Sequence, residues 1–254
     1  MKKYDENTAE PVVIRLAETD STNNYLRDLL AKERLPEGSV VATDFQSAGR
    51  GQVGNSWESE RGQNLTFSVV VYPTSIPVRD QFLLSQVAAL SVRDTFATYI
   101  DGVSVKWPND IYWRDKKICG MLIENDVMGQ NIAQSIIGIG MNINQRVFRS
   151  NAPNPVSLSQ ITGKDYDLRS VLSLFLSKFY TRYLQLLRDE TESLRAEYRQ
   201  HLFRGDGFHR FRDSQGIFDG RIAGIEPDGH LLLEDSEGNV RSYAFKEVQF
   251  VLPE

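Results

Sequence analysis

Residues 103–141 read VSVKWPNDIYWRDKKICGMLIENDVMGQNIAQSIIGIGM, and the fold turns on this stretch. It contains four strand-like runs: Val103 to Trp107, Ile111 to Trp113, Lys117 to Asn125 and Asn131 to Met141. Asp115-Lys116 and Met128-Gly129 offer hairpin connections, so antiparallel neighbours are expected.

On the N-terminal side, Arg79 to Tyr99 carries Leu83, Val87 and Leu90 at helical spacing and ends at the Asp101-Gly102 turn. Asn64 to Tyr72 alternates Leu65, Phe67, Val69 and Val71, the pattern of a half-buried strand. Val12 to Leu16 and Ser39 to Thr43 predict two more strands. Between them Asp20 and Ser21 offer N-cap side chains to a helix with Tyr25/Leu29 and Leu26/Leu30 pairs. On the C-terminal side, Pro153 and Pro155 mark a loop and Leu168 to Leu187 an amphipathic helix, with a second helical piece reaching about Phe203. The order predicts an α+β domain on one mainly antiparallel sheet with flanking helices. Beyond Arg204, Gly205, Gly207, Gly216, Gly220, Gly224, Gly229 and Gly238 punctuate short alternating runs, which indicates a small β barrel or sandwich. The expected division is therefore 1–203 and 204–254.

Composition narrows the function. The 254 residues are 41% hydrophobic and 25% charged, in the range of a soluble globular protein. Met1 to Pro11 is polar and charged, unlike a signal peptide, and no apolar run approaches membrane-spanning length, so a cytoplasmic location and no membrane partner are expected. The single cysteine, Cys119, lies in an apolar stretch and reads as a buried bystander. His201, His209 and His230 are the only histidines, which argues against Ser-His-Asp, Cys-His or histidine-zinc chemistry in the first 200 residues. A net charge of −5 without a basic cluster argues against nucleic acid as a partner.

Gly49 to Trp57 reads GRGQVGNSW, a bent backbone with one cation that suits folding over an anion. It is neither a P-loop, lacking the closing lysine and hydroxyl, nor a dinucleotide fingerprint, since a strand rather than a helix follows. Four more segments accompany it: Asp20-Ser21-Thr22-Asn23, Gln46, Lys106-Trp107-Pro108-Asn109-Asp110 and Lys116 to Gly120. Singly, these are a helix cap, a turn and an edge-strand lysine.

Together, in this order and at these intervals, they closely resemble the biotin protein ligases. Gly138 to Asn144 resembles that family's later glycine-asparagine segment. The resemblance implies a fold like class II aminoacyl-tRNA synthetases with a C-terminal SH3-like β barrel. It also implies the reaction: biotin and MgATP give biotinyl-5′-AMP and pyrophosphate, and a lysine of a biotin carboxyl carrier protein then attacks the mixed anhydride, releasing AMP. Joining a carboxylate to a phosphate brings anions together, so fixed cations are needed.

By the same resemblance Arg50, Lys117, Lys106 and Asp110 are catalytic. Ser21, Thr22, Asn23, Gln46, Arg50, Gly51, Gln52, Lys117 and Gly120 face biotin. Arg50, Asn55, Trp57, Lys106, Asn109, Asp110 and Asn142 face ATP. Asp110 either meets Mg²⁺ or orients the acceptor lysine, whose reference pKa of about 10.4 leaves it protonated near neutrality.

This chain departs from the family pattern at Gln52, where a second cation is common, and at Val53 and Asn55. Few residues precede the first expected strand, too few for a winged helix-turn-helix, so operator binding is not expected. Exposed edge strands leave a homodimer possible. The alternatives are a lipoate or octanoate ligase of the same superfamily and a non-catalytic biotin-binding regulator.

Overall fold

The computed structural model describes residues 10–52, 55–150 and 154–252; Val53, Gly54 and Pro153, which the sequence reading used, lie outside the described residues. In chain order the strands are β1 (Val13–Leu16), β2 (Val40–Thr43), β3 (Leu65–Val71), β4 (Val103–Lys106), β5 (Asp110–Trp113), β6 (Lys116–Met128), β7 (Asn131–Met141), β8 (His209–Asp213), β9 (Gly216–Ile225), β10 (Leu231–Asp235), β11 (Val240–Tyr243) and β12 (Gln249–Phe250). The helices are α1 (Thr22–Leu30), α2 (Phe82–Phe96), α3 (Leu158–Thr162), α4 (Leu168–Leu187) and α5 (Thr191–Gln200). The described residues divide into two units: 10–75, 119–150 and 157–172 in one, and 76–118, 154–156 and 173–252 in the other.

In the first unit the strand order is β1-β2-β3-β7-β6. Only β1 and β2 run parallel; β2–β3, β3–β7 and β7–β6 are antiparallel, as expected of a mainly antiparallel sheet. Helix α1 covers one face. Its Leu26 is fully buried against Leu35, Val41, Val70 and Ile136, and this apolar contact is what seats the helix on the sheet.

The expectation for β3 needs correction: every residue of the strand is buried, not only the Leu65, Phe67, Val69, Val71 row. Two strands flank it, and the other row, Thr66, Ser68 and Val70, lies on the face that α1 covers. The short helix α3 was not expected. Its signal is a capping box, in which Ser157 accepts from the Gln160 amide and the Gln160 side chain accepts from the Ser157 amide.

In the second unit β4 and β5 pair antiparallel, with Lys106 opposite Asp110. Helix α2 packs on α5 and on β4. Arg182 of α4 joins them, reaching Asp94 of α2 at 2.8 Å and Glu197 of α5 at 2.5 Å. The end of α5 is stitched to β4: Val105 N donates to His201 O at 2.8 Å and Phe203 N to Val105 O at 2.7 Å. A second, five-stranded antiparallel sheet follows in the order β11-β10-β9-β8-β12, the small C-terminal SH3-like element. None of the described helices is long and apolar enough to cross a membrane.

Candidate functional site

In the first unit the pairing registers lay out a floor of mostly small residues. Thr66, Gly140 and Gly120 form one row across β3, β7 and β6; Ser68, Gly138 and Leu122 form the next. Above the second row sits the start of α1. Ser21 occupies the N-cap position in extended conformation, yet its side chain makes no capping hydrogen bond. Thr22 is bracketed by Gln46, whose Oε1 accepts from Thr22 N at 2.8 Å and Thr22 Oγ1 at 3.2 Å.

Asn23 is fully engaged by protein groups. Its Nδ2 donates to Glu124 Oε2 at 2.7 Å and to Leu122 O at 3.3 Å, and its Oδ1 accepts from Ser68 Oγ at 2.6 Å. The two floor glycines are required by contact. A β-carbon at Gly138 would stand 2.9 Å from Asn23 Cγ, and one at Gly140 would stand 2.6 Å from Trp57 Cζ2. Thr66 Oγ1 is buried in this floor with no hydrogen-bond partner among the described residues.

The described ends of the 49–57 loop close on each other. Trp57 N donates to Gly49 O at 2.9 Å, Gly51 N to Asn55 O at 2.9 Å and Asn55 N to Gln52 O at 2.8 Å. These amides are therefore used within the loop, and its charged donor is Arg50. The Arg50 guanidinium reaches Glu124 Oε2 at 2.8 Å, and Arg27 approaches Glu124 Oε1 at 3.3 Å. Burial alone would raise the Glu124 pKa, but the Asn23 hydrogen bond and the Arg50 and Arg27 charges outweigh it and hold the carboxyl below its usual range. Gln52 Oε1 is buried without a partner among the described residues. Asn142, also buried, follows β7 directly and gives its carbonyl to Leu158 N at 3.1 Å.

The second unit assembles the other predicted group. Lys117 Nζ contacts Asp110 Oδ1 at 2.7 Å, and Asp110 stands opposite Lys106 in the β4–β5 register. Lys117 is held by its backbone as well, donating to Asn154 O and accepting from Val156 N, both at 2.9 Å. Lys106 Nζ lies 5.2 Å from the centre of the Tyr112 ring and 5.1 Å from that of Phe250, within cation–π range of both. Burial holds the Lys106 ammonium below the ordinary lysine range; the Asp110 charge opposes this, while Lys117 and Arg204 add to it. The turn between Lys106 and Asp110, which includes Asn109, rests on buried aromatics. Trp107 Nε1 donates to Gly229 O at 2.8 Å, and Tyr198 Oη to Pro108 O at 3.4 Å.

Strand β6 carries both Lys117 and Gly120, three residues apart. Sequence reasoning missed Glu124, Ser68, Thr66 and Phe250. Thr66 and Ser68 had a legible signal, two hydroxyl residues alternating with the apolar row of β3, whereas Glu124 and Phe250 had none. Magnesium ordinarily takes one or two protein carboxylates plus substrate phosphates; the carboxylate in this group is that of Asp110. A group of three metal-competent side chains, Glu226, Asp228 and His230, lies elsewhere, between β9 and β10.

A family model described as the biotin/lipoate A/B protein ligase family matches residues 16–142. The bifunctional ligase/repressor BirA of Bacillus subtilis (strain 168) is 32% identical over 222 residues, covering 85% of this chain and 67% of that protein. The biotin--[acetyl-CoA-carboxylase] ligase of Mycobacterium tuberculosis is 30% identical over 190 residues, covering 72% of this chain and 68% of that protein. Among solved structures, the biotin protein ligase from Aquifex aeolicus in complex with biotin and ATP matches with a TM-score of 0.77 at 26% identity, covering 95% of this chain and 99% of that one. With the family model spanning the glycine-floored sheet and both groups of polar side chains, the chain belongs to the biotin/lipoate A/B protein ligase family.

Proposed function

We propose that this protein is an ATP-dependent biotin–protein ligase. It joins the biotin carboxylate to the α-phosphate of ATP, releases pyrophosphate, and passes the biotinyl group from biotinyl-5′-AMP to a lysine of a biotin carboxyl carrier protein, releasing AMP. One observation carries the choice of substrate: the Thr22–Gln46 bracket stands over a sheet face where glycines replace side chains. The bracket fixes the Gln46 carbonyl, which leaves its amide end and the Ser21 hydroxyl to match the donors and acceptors of a ureido ring. A lipoyl or octanoyl chain has no such groups and would leave them unpaired.

The roles follow from charge. Arg50, Lys117 and Lys106 supply fixed positive charge for a reaction that gathers negative charge on phosphorus oxygens, and being fixed they need no reorganisation when it develops. Asn109, Asn55, Trp57 and Asn142 complete the nucleotide side. Gly51 and Gln52 belong to the loop that shields the anhydride from water. Asp110 fits Mg²⁺ as its protein carboxylate, and the ion would offset phosphate charge there. Its contact with the Lys117 ammonium equally suits a carboxylate that receives an acceptor lysine.

The functional division belongs to the same proposal: residues 1–203 for catalysis and 204–254 for the small β domain, supported by the separate pairing of β8 to β12. So do a cytoplasmic location, consistent with a buried free Cys119, and pairing of two copies through β1, an edge strand where Val13 is exposed.

Incubation with ATP, Mg²⁺, an apo carrier domain and either biotin or lipoate tests the reading. Mass spectrometry of the carrier should show one biotinyl addition with biotin and none with lipoate. Gain with lipoate alone would favour the sister activity, and biotin binding without transfer would favour a regulator. A pH profile tests Lys106. Its cation is lost below the reference lysine value of about 10.4 because burial depresses the pKa. The alkaline limb of pyrophosphate exchange should therefore lie below that value and move upward in Lys106→Arg, whose guanidinium stays charged. An unmoved limb would take Lys106 off the phosphates.

A further inference from the structure

One carboxylate on β6 gathers three groups from two separate segments. Glu124 receives Asn23 and Arg27 from α1 and Arg50 from the glycine loop, at 2.7, 3.3 and 2.8 Å. Its side chain is only 24% exposed, so these contacts replace much of its water. We propose that Glu124 is a positioning residue for biotin adenylation, fixing the Arg50 guanidinium and the Asn23 amide at the edges of one site. The proposal rests on the reading of Arg50 as the loop's phosphate-directed cation.

The division of labour follows from donor counting. A guanidinium has five N–H donors in a planar fork, and Glu124 engages the Nη2 end of Arg50, which leaves the other edge for a ligand. The amides of Gly51, Asn55 and Trp57 are turned inward to loop carbonyls, so they hold the loop to itself and leave the guanidinium to be held by Glu124. A neutral acceptor would let the arginine, 39% exposed, sample many rotamers. On the α1 side the same carboxylate takes one Asn23 Nδ2 proton while Leu122 O takes the other and Ser68 holds Oδ1. Asn23 is thereby locked in one orientation beside Thr22. Glu124 stays ionised at neutral pH, since its pKa is held low by the groups it positions.

The two arms separate by substitution. Glu124→Gln keeps an acceptor for Asn23 but removes the charge that anchors Arg50. Biotin affinity, measured by calorimetry without ATP, should change by less than about threefold, while kcat for biotin-dependent pyrophosphate exchange falls about tenfold or more. Glu124→Ala removes both arms and should weaken biotin about tenfold as well. Glu124→Asp, charged but shorter, should recover part of the rate. The decisive readout is a double-mutant cycle on kcat: Glu124→Gln in an Arg50→Ala background should have almost no further effect. Additive losses, or a Glu124→Gln enzyme with parental kcat, would overturn the proposal. Absence of exchange in the parent enzyme would instead overturn the ligase reading and this one with it, so the two failures are distinguishable.

Discussion

Lys117→Ala is expected to lower biotin-dependent pyrophosphate exchange roughly 10²–10³-fold, the usual loss when one preorganised charge donor is removed from a reaction that develops negative charge. The side chain is 25% exposed and forms an ion pair with Asp110 at 2.7 Å. Such a partly exposed pair contributes at most about 1 kcal/mol to stability, so the variant should unfold within a few degrees of the parent. Its backbone contacts to Asn154 and Val156 do not involve the side chain and survive the change. Lys117→Arg should be intermediate, because the charge remains but a planar fork replaces a compact ammonium. Exchange within a few-fold of the parent in Lys117→Ala would remove this residue from the chemistry.

Gly140→Val should be nearly as damaging by a different route. The β-carbon would be 2.6 Å from Trp57 Cζ2 and overlap other indole atoms more severely, and the obstacle is a ring anchored at the end of the glycine loop. Trp57 must move, and with it the loop end that its amide bonds to Gly49 O. A displacement of about 1 Å in a positioning element can cost on the order of 10²-fold in rate, and overpacking a buried position typically destabilises by about 1–3 kcal/mol. Pyrophosphate exchange and urea denaturation should therefore both change, with the rate falling further than the folded fraction explains. Normal exchange from a stable variant would show that Trp57 need not rest on β7.

Much of the architecture is written in local patterns. Leu168 to Leu187 was expected as a helix and is one, because its apolar spacing needs no knowledge of a partner. The four strands of 103–141 likewise follow from alternation and turns. What alternation could not give was how many faces a strand buries. β3 presents Thr66 and Ser68 on what reads as a solvent row, yet α1 and the neighbouring strands enclose it.

The candidate site shows the same division. The Asp20 to Asn23 box, the glycine loop, the Lys106 to Asp110 box and Lys117 were legible because each imposes a local backbone requirement: a cap, a bend, a turn, a strand edge. Sequence by itself thus determined the α+β class, the family and which segments carry polar chemistry. Only the tertiary structure decided which side chains meet. Asn23 and Glu124 are 101 positions apart, and the β3–β7–β6 register places one above the other's strand. Register is set by the pairing and burial of whole strands, so a single slipped residue would turn Glu124 to the opposite face.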